Sequence, residues 1–190
     1  MKIGIDVSQM AYEGTGVANL LTKLVEHLLK VDKENEYTLF FSSLRRNFQF
    51  SIFNFQSNHN FKIKKFKFPP ILLDLLWNKL HILPIEWLIG DVDVFITSDW
   101  TEPPTIRAKK ATIIYDLIVY KYPEETHNRT EFNPLKFIIS PNIVASQKRK
   151  LSWVKKESDV VFCISESTKK DAMEILNIEE NRLKIMYPGI

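Results

Sequence analysis

A chain of 190 residues with 45% hydrophobic and 12% aromatic side chains can close one real core, which excludes a disordered or fibrous polypeptide. A single cysteine rules out a disulfide framework and a zinc site built on cysteines, so a reducing, cytoplasmic compartment is expected. The formal charge of +3 is too small to point to nucleic acid, so only its distribution along the chain is informative.

Lys2 to Val7 alternates like a strand, with no apolar signal segment or cleavage site beside it, so no signal peptide is expected. Val17, Leu20, Leu21, Leu24, Val25, Leu28 and Leu29 then recur at three and four residues, which predicts one face of a helix. Tyr37 to Phe41 reads as a buried strand and Phe61 to Phe68 as an alternating one; between them Leu44 to Asn60 reads as a loop with room for an extra strand. Ile71 to Gly90 is the most apolar stretch. Asp74, Lys79, His81, Pro84 and Glu86 interrupt it, whereas a spanning helix needs about 20 predominantly apolar residues.

Short β-branched or apolar runs follow at Val92 to Thr97, Ala111 to Tyr115, Val160 to Ile164 and Leu183 to Tyr187. Asn133 to Lys156 predicts a long helix, broken near Ser140 by Pro141. Glu166 to Leu176 predicts another, with Ser165 or Ser167 as N-cap and a stop near Asn177. The sequon Asn128-Arg129-Thr130 is read as chance. Strands alternating with helices require crossover connections. The expected fold is therefore α/β, a Rossmann-like, mostly parallel sheet with helices on both faces, in one domain spanning residues 1–190.

In such a sheet, ligands bind beyond the carboxyl ends of the strands. After the first strand come Asp6 and then Gly14-Thr15-Gly16, leading into the first helix. Glycines there let backbone N–H groups approach an anion, and a helix N-terminus favours phosphate; a tight structural turn explains the same residues equally well. The third small residue of a dinucleotide fingerprint would fall at Asn19, and no Walker A pattern is present.

After Val92 to Thr97 comes Ser98-Asp99-Trp100-Thr101-Glu102-Pro103-Pro104. Its carboxylates, hydroxyls and indole could wall a hydroxyl-rich ligand, or form an Asx-capped turn stiffened by two prolines. Asp116, after Ala111 to Tyr115, fits two roles: accepting a substrate hydroxyl proton, or capping its loop.

His27, His59, His81 and His127 lie outside metal-ligand spacings, and Cys163 reads as a packed thiol inside a strand. Lys62, Lys64, Lys65 and Lys67 interleave with aromatic and apolar residues ahead of Ile71 to Leu83. Lys136, Lys148, Arg149, Lys150, Lys155 and Lys156 fall in a stretch with no acidic residue. Such stretches suit an anionic membrane surface, and equally a lysine-guarded strand edge and a solvated helix face. No RNP-type or helix-turn-helix pattern supports a nucleic-acid partner.

Four segments in order, MKIGIDVSQM with EGTGVANLLTKLVEHLL, DVDVFITSDWTEPP, ATIIYDLIVYKYPEE and SDVVFCISESTKKDAMEILNIEENRLKIMYPGI, resemble the N-terminal domain of retaining glycosyltransferases of the GT-B fold, glycosyltransferase group 1 or family 4. The resemblance implies an acceptor-side domain facing a C-terminal domain that grips a nucleotide-sugar, with no metal or cofactor. It places Gly14, Thr15 and Gly16 by the cleft, and Asp99 and Glu102 on the acceptor side. At the pair following the fifth strand, where relatives often carry His-Asp, this chain has Tyr115-Asp116; these are the catalytic candidates, although a phenol does not replace a neutral imidazole.

The implied acceptor is a glycan or lipid-linked molecule in cell-surface polysaccharide or glycolipid synthesis, met in the cytoplasm at the inner face of the membrane. The sequence ends at Pro188-Gly189-Ile190, where the resemblance places the crossover into the donor domain. These 190 residues alone are therefore expected to lack the groups that stabilise the leaving diphosphate. Two rival readings are a standalone, non-catalytic partner module and an unrelated Rossmann-like nucleotide-binding protein.

Overall fold

The computed structural model describes residues 1–46, 60–124 and 143–188. Seven parallel strands form one sheet in the order β3-β2-β1-β4-β5-β6-β7. They are β1 (Lys2–Asp6), β2 (Glu36–Ser42), β3 (Phe61–Phe66), β4 (Val94–Thr97), β5 (Lys109–Ile114), β6 (Val160–Cys163) and β7 (Leu183–Ile185). The helices are α1 (Gly16–Val31), α2 (Pro70–Leu73), α3 (Glu86–Ile89), α4 (Ile118–Lys121), α5 (Ile143–Glu157) and α6 (Glu166–Leu176). This is the α/β arrangement expected from the sequence.

The central strands are covered on both faces, and their period of two decides which residue meets which layer. On one face Ile5, Leu39 and Phe41 pack with Leu21, Val25 and Leu29 of α1. On the other, Phe40 and Phe95 pack with Leu73, Trp77, Ile85 and Ile89. A third cluster joins Ile114, Val161 and Cys163 to Leu151 and Val154 of α5 and to Ala172 and Leu176 of α6. Cys163 is fully buried there, and burial pushes its thiol up to about 11, which suits a packing role.

Gly4 sits opposite Phe95 in the β1–β4 register. A Cβ on Gly4 would lie 2.7 Å from Phe95 Cδ2 and 2.9 Å from Ile89 Cδ1. The aromatic ring thus occupies the space where any other residue would carry its side chain.

Helix ends follow the sequence signals. Thr15 caps α1 by accepting from the Ala18 amide at 3.2 Å, and Ser165 caps α6 by accepting from the Thr168 amide at 3.1 Å. Asn177 closes α6 in the left-handed region at φ 52°. Arg182 donates to the carbonyls of Val154, Lys155 and Ser158, which satisfies groups that the end of α5 leaves open. The part of the predicted long helix before Ile143, its break near Ser140, Lys136, the sequon, His59, His127 and most of the Leu44 to Asn60 loop lie outside the described residues.

The segment between β3 and β4 carries structure that no period announced. α2 runs into a π-helical stretch, Asp74–Lys79, closed by a bond from the Leu80 amide to the Leu75 carbonyl at 2.9 Å. It holds Trp77 fully buried against Phe40, with the indole N–H donating to the Leu83 carbonyl at 2.9 Å. Among the described residues, no helix is long and apolar enough to cross a membrane.

The turn after α1 is organised by Asp32. One carboxylate oxygen accepts from the amides of Glu34 and Asn35; the other accepts from the Asn35 side-chain amide at 2.6 Å and the Tyr37 hydroxyl at 2.7 Å. The Asn35 and Tyr37 side-chain donors hold its carboxyl well below the usual aspartate range. A depressed folded-state value gives stability that is complete above the unfolded value and fades as pH falls toward the folded one. Asp32→Asn is therefore expected to lower Tm by a few degrees at neutral pH, with the deficit shrinking below about pH 4 in thermal melts run across pH.

Candidate functional site

Chain order reverses between β1 and β4: from β1 the sheet grows through β2 to β3, and from β4 it grows the other way. A crevice opens beyond the carboxyl ends of strands at such a switch point. The segments following β1, β4 and β5 meet there, and α5 supplies groups from below.

Asp6 ends β1 nearly buried, with Oδ1 accepting from the Ser8 amide at 2.9 Å, and burial raises its carboxyl. At the end of β4, Ser98 is buried. Its hydroxyl pairs with the Tyr115 hydroxyl at 3.0 Å, and its carbonyl accepts from Lys150 Nζ at 2.5 Å. Asp99 is half-buried, with Oδ1 accepting from Gln147 Nε2 at 3.3 Å. Burial raises the Asp99 carboxyl, and the nearby Lys150 ammonium opposes that shift.

Tyr115 is 9% exposed, and burial pushes its phenol up to about 12. At neutral pH it is thus a hydroxyl that donates or accepts hydrogen bonds, and a poor base. Its carbonyl accepts from Thr168 Oγ1 at 3.1 Å, which ties the end of β5 to α6.

Asp116 is exposed, and its Oδ1 accepts from the Ile118 amide at 3.0 Å, so it caps the entry to α4. Of the two roles its sequence context left open, the capping contact is present in the structure. Gly14 adopts φ +83°, a conformation that favours glycine, and Thr15 spends its hydroxyl on the α1 cap. A Cβ at Gly14 or Gly16 would meet nothing within 4 Å, so the turn is open rather than crowded.

Two aromatic rings stand beside these strand ends. Tyr12, after β1, and Trp100, after β4, stack with ring centroids 6.4 Å apart at 20°. Arg46 lies over the Tyr12 ring at 5.2 Å and donates from Nη1 to the Ala11 carbonyl at 2.8 Å. Asn78 holds the loop from behind, donating to the Trp100 carbonyl at 3.0 Å and accepting from the Glu102 amide at 3.1 Å.

Glu102, expected to line the acceptor side, is turned inward and fully buried. It accepts from Thr97 Oγ1 at 2.6 Å and pairs with Lys110 Nζ at 3.1 Å; Lys110 also pairs with Glu157 at 2.8 Å, and Glu157 with His81 at 2.9 Å. The resemblance placed this carboxylate on the acceptor side, and residue type alone left a ligand wall and a turn stiffened by Pro103 and Pro104 both open. The cation that draws it inward stands on another strand.

The basic stretch is likewise redistributed. Lys148 lies over the Tyr120 ring, Arg149 pairs with Asp74 at 3.0 Å, Lys156 lies over Trp153, and Lys150 is 2% exposed beneath the crevice. Sequence reasoning counted Lys150 with a basic face. The available signal was its alignment with Ser146 and Val154 at four-residue steps on the buried side of α5.

Among the described residues, no group of three or more His, Cys, Asp or Glu side chains is placed to hold a metal ion. No protein-family model matches this chain, and no curated protein matches it either.

Proposed function

We propose that this chain is the acceptor-binding half of a retaining glycosyltransferase, one that transfers a sugar from a nucleotide-sugar held by a second domain to a glycan or lipid-linked acceptor. The observation that carries the reading is the chemistry of the crevice. Asp6, Asp99 and Asp116 gather at the switch point beside the Tyr115 and Ser98 hydroxyls, under a Tyr12–Trp100 wall. Carboxylates accept from ring hydroxyls and repel phosphate, and aromatic faces pack against the apolar faces of such rings. That favours a sugar acceptor over a nucleotide at this position.

In this reading, Asp99 Oδ2, which has no donor among the described residues, accepts from a hydroxyl of the acceptor. A carboxyl raised by burial is also better matched to taking a hydroxyl proton than an exposed aspartate. Tyr115 and Ser98 act together as a hydroxyl pair that orients the same ligand. The Gly14-Thr15-Gly16 turn, open at the N-terminus of α1, faces the donor side.

An acceptor at the inner face of the membrane is supported by exposed apolar side chains between β3 and β4. Trp87 is 69% exposed, and Leu80 and Ile82 are also exposed, with Lys79 beside them.

The test is binding of the purified chain to a panel of neutral glycosides and, separately, to ATP, NAD and uridine diphosphate, followed by calorimetry. Binding of one or more glycosides, with none of the nucleotides bound tightly, is the expected outcome. Tight binding of ATP or NAD with no glycoside bound would instead make this a nucleotide-binding protein.

A further inference from the structure

We infer that Lys150 is a positioning residue for the crevice: from a buried place on α5 it clamps the peptide that carries Asp99 and keeps that side chain at the mouth of the site. The assignment of a sugar hydroxyl to Asp99 rests on the function proposed above; the clamp itself does not. Lys148, Arg149 and Lys150 are consecutive, and a helix turns by about 100° per residue, so they point three ways. Lys148 reaches the Tyr120 ring and Arg149 reaches Asp74, while Lys150 reaches under the sheet to the carbonyl of Ser98, the residue bonded to Asp99. Gln147, one turn earlier on α5, donates to Asp99 Oδ1. One helix face thus holds both the backbone and the side chain of the same dipeptide.

A buried ammonium is costly unless its charge is answered, and one backbone carbonyl does not answer it. The groups that surround it are Glu102, Asp99 and Asp6, with Lys110 as the like charge. Glu102 is already paired with Lys110 at 3.1 Å, and Asp6 is turned to Ser8. Glu102 is the strongest of these charges on Lys150 and Asp99 the next, and Lys150 supports the charge of Asp99 against burial and against Asp116 nearby. A methionine of similar length would fill the space more cheaply. The lysine is explained by what it does for the loop.

The test needs no ligand. The Asp99 side-chain carboxyl is titrated by carbon-detected NMR in the wild type, in Lys150→Met and in Lys150→Arg. With the ammonium gone, the Asp99 midpoint is expected to rise, and the Ser98 and Asp99 amide signals to shift. Lys150→Arg, which keeps the charge, is expected to stay near the wild-type midpoint. Should Lys150→Met fail to fold, Lys150→Gln, which keeps a donor for the Ser98 carbonyl without the charge, carries the same comparison. An Asp99 midpoint and amide signals unchanged in a folded neutral variant would overturn the inference. Because no sugar enters the experiment, a chain that binds no glycoside would defeat the proposed function and leave this result standing.

Discussion

Lys110→Met is expected to destabilise the domain by about 3–5 kcal/mol, because it removes one partner of a buried ion pair and leaves the other charged. Lys110 and Glu102 side chains are 3% and 0% exposed, so water cannot take over the lost contact. The remaining acceptor bonds of Glu102, from Thr97 and Thr112, are made by neutral hydroxyls. Glu157 would lose its partner too, but it is partly exposed and still bonded to His81. The double variant Lys110→Met/Glu102→Leu is expected to recover much of the loss, since replacing both partners by apolar groups is often close to neutral. Urea unfolding of the two variants decides this. A single-variant loss below about 1 kcal/mol would mean that the pair is not desolvated as the structure has it.

Gly4→Val is expected to cost about 3 kcal/mol, the upper part of the range for forcing extra carbons into a packed interior. The first added carbon alone would sit 2.7 Å from a ring atom of Phe95, and that ring is itself fully buried. The Ile89 methyl at 2.9 Å can rotate away, whereas the Phe95 ring is packed within the cluster of Phe40, Trp77 and Ile85. The companion change Phe95→Leu should relieve part of the loss in the same background, because the two positions share one volume. Thermal melts of Gly4→Val, Phe95→Leu and the pair would show this as a coupling. Strict additivity would place Phe95 elsewhere.

All seven strands were legible: β1 and the edge strand β3 by alternation, and the others as short apolar runs, because a parallel strand buried on both faces leaves a near-continuous hydrophobic signature. Their ends moved for identifiable reasons. β5 begins at Lys109, two residues before the apolar run, because Lys110 hides its charge against Glu102 and Glu157. β4 begins at Val94 rather than Val92, since Asp93 is used to accept from the Lys2 amide at 2.7 Å.

The caps at Thr15 and Ser165 and the stop at Asn177 are local chemistry, and local chemistry is what a sequence displays. The π-helical stretch Asp74–Lys79 has no such local signature. Its side chains answer distant partners, with Asp74 bonded to Arg149 and Asn78 to Trp100. For the site, strand-end position singled out Asp99 and Asp116, and the family resemblance added Tyr115. Strand-end position could not distinguish Glu102, fully buried against Lys110, from Asp99, half-buried and bonded to Gln147, nor show that Lys150 is buried and bonded to the Ser98 carbonyl, since these depend on contacts made across the sheet.

The central claim is that the switch-point crevice holds a hydroxyl-bearing ring through Asp99. Its most direct measurement is residue-resolved NMR of the labelled chain titrated with the tightest neutral glycoside of the panel, in wild type and in Asp99→Asn. Shifts are expected to concentrate at Tyr12, Ser98 to Trp100 and Tyr115, with an affinity about tenfold lower in Asp99→Asn, the size of one charge-assisted hydrogen bond. Shifts gathered away from those residues, or the same affinity in Asp99→Asn, would contradict the claim.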